Sequence, residues 1–119
     1  MKELLKKLCL CNGISGFEDE VRALIRAEVE PYADTIEVDP LGSLYVFKKG
    51  RKAPARPRMV TAHMDEVGFM VRSITEDGYI KLAAVGGIDP RVVVGRRVLV
   101  GEKLVHGVAG LRAIYLTTR

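Results

Sequence analysis

The sequence has no tryptophan, only two histidines and only two cysteines, and no apolar run approaching the length that spans a bilayer. Each scarcity excludes something. Cys9 and Cys11 are too few and too closely spaced to staple a disulfide framework, and without a second Cys/His pair they do not close a structural zinc site; reduced thiols are expected. With His63 and His106 as the whole histidine supply, a metal centre built by this chain alone would be mostly carboxylate. Met1-Lys2-Glu3 opens without the charged-then-apolar layout of a secretory leader, so a cytoplasmic protein with no membrane partner is expected. What is present is ordinary for a globular chain: 119 residues, 48% hydrophobic and 29% charged. The 19 Lys and Arg outnumber the 15 Asp and Glu and leave a formal charge of +4, which permits a polyanionic partner without demanding one.

Leu4, Leu5 and Leu8 recur at helical spacing, predicting a short amphipathic helix from about Lys2 to Leu10, one face buried, stopped by Asn12-Gly13. Ser15 followed by Glu18 has the form of a capping box and predicts the start of a second helix, whose apolar period runs through Val21, Leu24, Ile25 and Val29 and ends near Pro31. After Asp34 the period becomes two. Ile36 and Val38 face one way, and Pro40-Leu41-Gly42 turns the chain into Ser43–Lys48, a predicted hairpin. Lys48 to Arg58 carries six basic residues and no acid, interrupted by Gly50, Pro54 and Pro57, and reads as a loop. Met59–His63 and Val67–Ile74 read as strands, the latter closed by Thr75-Glu76-Asp77-Gly78 before Tyr79–Ala83. Beyond them, glycines punctuate Val92–Val94, Arg97–Val100 and Leu104–Val108 at the spacing of a small barrel or sandwich. Ala113–Leu116 reads as one more strand, so the chain is expected to stop in mid-architecture. The change of composition near residue 67 divides the chain into 1–67 and 68–119.

The densest chemical signal is Thr61-Ala62-His63-Met64-Asp65-Glu66-Val67-Gly68-Phe69. On a strand, residues i and i+2 share a face, so His63 and Asp65 project together. A ligating imidazole commonly gives its other N–H to a carboxylate, which suits a metal site; an acid beside a histidine at a strand end is equally an ordinary polar pair. His106 has no acid near it in sequence and reads as structural or solvated. The Lys48–Arg58 cluster has no interleaved aromatics and matches no nucleic-acid module, so a solvated loop is expected rather than a nucleic-acid site. Gly42 and Gly86-Gly87 are expected to serve backbone turns.

Three segments, Cys11-Asn12-Gly13-Ile14-Ser15-Gly16-Phe17-Glu18, Val38-Asp39-Pro40-Leu41-Gly42-Ser43-Leu44 and Thr61 to Phe69, occur in an order and at separations that closely resemble the tetrahedral glutamyl/leucyl aminopeptidases. These are dinuclear metallopeptidases often labelled endoglucanases, and the likeness continues through Val85-Gly86-Gly87 and Gly107-Val108-Ala109-Gly110. The resemblance implies an α+β (α/β) fold: part of the catalytic sheet with two N-terminal helices in residues 1–67, and an incomplete β-barrel-like inserted domain of the oligomerising type in 68–119. It implies His63 as a ligand of one metal and Asp65 as the catalytic-site aspartate that supports it. It also implies two divalent ions, zinc or cobalt, per complete site, short peptides as substrate, and homo-oligomers. The remaining ligands and the general base of such enzymes have no counterpart here, so the chain is expected to be an N-terminal third that is inactive alone. The alternative is a non-catalytic assembly domain.

Overall fold

The leucine period near the N-terminus produces helix α1 (Lys2–Leu10) in the computed structural model, which describes residues 1–52 and 56–111. Helix α2 (Asp19–Val29) follows, and a single 3-10 turn over Glu30–Tyr32 carries Pro31 where the missing N–H ends the α-helical ladder. Strands β1 (Thr35–Val38) and β2 (Leu44–Phe47) form the predicted antiparallel hairpin, Ile36 opposite Val46. Strands β3 (Gly68–Ile74) and β4 (Ile80–Val85) form a second ribbon, its register shifted between Val71 and Ser73. A third ribbon pairs β5 (Arg97–Val100) with β6 (Val105–Val108). The architecture is thus mixed helix and strand, and the strands of the described residues stand in three two-stranded antiparallel sheets.

Contacts divide the chain into Met1–Gly86 and Gly87–Arg119. The first of these units holds both helices and the β1–β2 and β3–β4 ribbons. Among the described residues of the first unit, Val21 of α2 is the buried apolar side chain, at 7% exposure. It lies over a glycine near the start of the α1–α2 connection: a Cβ on Gly13 would stand 2.6 Å from a Val21 methyl. Lys7 pairs with Glu28 at 3.1 Å and links the two helices, while Arg22 donates to the Gly42 carbonyl at 3.0 Å and ties α2 to the hairpin turn. Gly42 has φ +89°, in the region that favours glycine.

Several expectations fail, each for a local reason. No residue of α1 is buried; Leu4 and Leu8 are half-covered and Leu5 is exposed, because no neighbouring element lies over that face among the described residues. Met59–His63 forms no strand: it has no ladder partner among the described residues, and Met59 and Val60 are 85% and 95% exposed. Val92–Val94 is not a strand either. Asp89 accepts from the Arg91 amide at 2.9 Å and Pro90 fixes the first φ, so the valines enter a 3-10 turn over Pro90–Val92 and its continuation. Ala113–Leu116 lies outside the described residues.

The β1–β2 turn is closed by one carboxylate. Asp39 Oδ1 accepts from the amides of Leu41 at 2.9 Å and Ser43 at 2.8 Å, an Asx-type turn. The Ser43 amide above all holds the Asp39 carboxyl below its ordinary value. A depressed folded pKa means stabilisation that is present above the ordinary aspartate value and lost as pH falls through the lower folded one. A carboxyl-carbon NMR titration is therefore expected to give Asp39 a midpoint below that of an unstructured aspartate, with the Leu41 and Ser43 amide shifts moving in step. A midpoint at the ordinary value would remove the turn's dependence on this charge.

Candidate functional site

His63 and Asp65 do meet, although not on a strand. His63 Nδ1 lies 3.0 Å from Asp65 Oδ1 and 3.0 Å from the Asp65 backbone carbonyl. Both neighbours are acceptors, so the geometry requires a donor at Nδ1 and leaves Nε2 as the nitrogen with a free lone pair in the neutral ring. The imidazole side chain is 86% exposed. Its position follows from a docking between two sequence-distant loops. The Glu66 amide donates to the Gly13 carbonyl at 2.7 Å, and Ile14 forms an isolated parallel bridge with Glu66. Gly68 admits the packing: a Cβ there would meet Ile14 Cδ1 at 2.7 Å.

Ser15 completes the arrangement. Its hydroxyl donates to Asp65 Oδ2 at 2.5 Å, in a half-buried position. That bond, followed by the one from His63, holds the Asp65 carboxyl below its ordinary value. The predicted capping box is overturned here. α2 has Glu18 as its N-cap with no side-chain cap bond, and Glu18 instead accepts from the Gly16 amide at 2.7 Å. A box starting at Ser15 would need Gly16 in the first helical position, and Gly16 has φ +90°. The Ser15 hydroxyl thus bonds Asp65, fifty residues on, rather than the start of α2. Gly16 directly after the serine was the available sign that the helix starts later. Asn12 anchors the same loop from the other side: its amide and side chain both donate to Glu20 Oε2, at 3.1 and 2.9 Å, and hold the Glu20 carboxyl low.

Among the described residues no three His, Cys, Asp or Glu side chains group as a metal cage. The other stretches, Ala53–Ala55 and Arg112–Arg119, contain none of these residue types. Zinc and similar ions take imidazole nitrogen and carboxylate oxygen. The donors present fit one arm of such a centre: an imidazole with a held tautomer and a carboxylate behind it.

The relatives of this chain are aminopeptidases. It is 42% identical over 115 residues to a putative aminopeptidase of Acetivibrio thermocellus, covering 97% of this chain and 32% of that protein. The crystal structure of a TET aminopeptidase from a marine sediment archaeon of the Thaumarchaeota matches 98% of this chain and 33% of its own, at 39% identity and a TM-score of 0.85. The Pyrococcus horikoshii TET1 peptidase, which can assemble into a tetrahedron or a large octahedral shell, matches 98% of this chain and 34% of its own, at 38% identity and a TM-score of 0.77. The chain belongs to the M42 glutamyl aminopeptidase family, whose sequence signature matches residues 42–119. It spans about a third of the length of these relatives.

Proposed function

We propose that this chain supplies the His63 ligand of a metal-dependent aminopeptidase that removes N-terminal residues from short peptides. The observation that carries the reading is the held imidazole, with two Asp65 oxygens 3.0 Å from Nδ1 and the opposite nitrogen free for an ion. His63 would bind through Nε2. Asp65 would take the catalytic supporting part by keeping the proton on Nδ1 and so raising the basicity of the ligand. A divalent ion, zinc or cobalt, would supply Lewis-acid polarisation of the scissile carbonyl and activation of water, two ions acting together in a complete site.

In this reading residues 1–67 belong to the catalytic domain, and 68–119 to a β-barrel-like insert. The confinement of both helices to the first part supports the division. The same reading places the protein in the cytoplasm, where Cys9 and Cys11, both free thiols, stay reduced. No helix of the described residues is long and apolar enough to cross a membrane. Homo-oligomers are supported by the shells of the Pyrococcus relative. A second reading, a non-catalytic assembly domain, is favoured by the many large apolar side chains left exposed, among them Phe17, Tyr45 and Phe47.

Calorimetric titration with zinc separates the two. Weak binding that disappears in His63→Ala is expected, because a single imidazole supports the site. A tight site surviving the substitution would transfer the chemistry to His106 or to Cys9 and Cys11, and the absence of any His63-dependent heat would favour the assembly reading.

A further inference from the structure

Building on the assignment of His63 as a metal ligand, we propose that Ser15 is a positioning residue for it: the serine fixes the Asp65 carboxylate, which in turn holds His63 with Nε2 presented to an ion. An aspartate next to a largely exposed histidine holds it weakly when left to itself, since water competes for both partners and the carboxylate rotates about its Cβ–Cγ bond. Here the two oxygens are divided between two partners. Oδ1 faces His63 Nδ1 at 3.0 Å, and Oδ2 accepts from Ser15 Oγ at 2.5 Å, so the carboxylate plane is set by a group on another part of the chain.

Ser15 can do this because its loop is fixed on both sides. The Gly13 carbonyl and Ile14 are joined to Glu66, directly after Asp65, while Asn12 is held by Glu20 of α2 and Gly16 by Glu18. The hydroxyl therefore arrives from a supported segment, which is what orienting a ligand requires. Nor is the hydroxyl needed at the helix start, since α2 begins without it.

The test uses the 119-residue chain with ¹⁵N-labelled histidine, studied at about pH 8. Long-range proton–nitrogen spectra give the ratio of Nδ1–H to Nε2–H forms of His63, assigned with His63→Gln, and zinc is then titrated against the same signal. In Ser15→Ala the ratio is expected to fall about fivefold, the worth of one ordinary hydrogen bond. The zinc Kd is expected to rise about tenfold, as for loss of a group that orients a ligand. Ser15→Thr, which keeps the hydroxyl, is expected to restore both. The Glu66 amide is expected to keep its exchange protection throughout. An unchanged ratio in Ser15→Ala, with zinc still moving the wild-type signal, overturns the role of Ser15 alone. Loss of Glu66 protection together with the ratio also overturns it, making Ser15 a tether whose removal undocks the loop. Zinc that leaves the wild-type His63 signal unmoved overturns the ligand assignment, and this inference with it.

Discussion

Purified chain incubated with leucyl- or glutamyl-p-nitroanilide and zinc or cobalt is expected to release no p-nitroaniline beyond the metal-only control. Two-ion hydrolysis needs donors from several directions to hold both ions, a shared water between them and a base to take its proton. This chain presents one held imidazole, and no three of its described His, Cys, Asp or Glu residues converge. Asp65 is committed on both oxygens, to Ser15 and to His63, so it is not available as the base that accepts a proton from water. The missing machinery carries nearly the whole rate, because enzymes of ordinary power exceed the uncatalysed reaction by a factor of about 10⁶ or more. Metal-dependent turnover that vanishes in His63→Ala would contradict this and would mean that copies of the chain assemble a site between them. Turnover that survives His63→Ala would point to a contaminating peptidase.

Local signals in the sequence were realised where a few neighbouring residues decide the outcome. The 3.6 period at Leu4 and Leu8 fixed α1 over Lys2–Leu10, and alternation at Ile36 and Val38 with a Pro-Leu-Gly turn fixed the first hairpin. Arg97–Val100 forms a strand over the expected residues. The structure departs from the local pattern where the outcome depends on partners elsewhere in the chain. Met59–His63 has the composition of a strand, but a strand exists only where another backbone lies beside it, and composition says nothing of that neighbour. The burial of an α1 face likewise depends on what covers it. At the candidate site, a two-residue spacing brought attention to His63 and Asp65, and their contact is made through a ring nitrogen and two oxygens rather than through strand alternation. Ser15 lay outside reach of such reasoning, because its partner is fifty residues away and the Ser15–Glu18 spacing offered a closer one.

Val105→Lys is expected to convert a self-associating chain into a monomer. Among the described residues the β5–β6 ribbon has two strands, with Val98 opposite Gly107 and Val100 opposite Val105. Directly opposed residues share a face, so Val98, Val100 and Val105 form one apolar surface, while Arg97, Leu99, His106 and Val108 form the other. Val105 is 60% exposed at the end of the apolar face, and Val92 and Val94 stand exposed in the preceding turn. An isolated two-stranded ribbon is marginal in water, and its outer edges carry unpaired N–H and C=O groups that accept another strand. Covering such a face with a second copy removes valine surface from water, and a stable contact needs about 800 Å² on each partner. One lysine at Val105 would place a charge against that contact, where it has no partner and costs more than the methyl groups contribute. Light scattering behind size exclusion, at high micromolar chain, reads the result directly. A discrete oligomer that Val105→Lys reduces to 13.1 kDa places the contact on this ribbon. A wild-type chain already at that mass would show that the valine face is tolerated in water and that the second unit does not drive assembly.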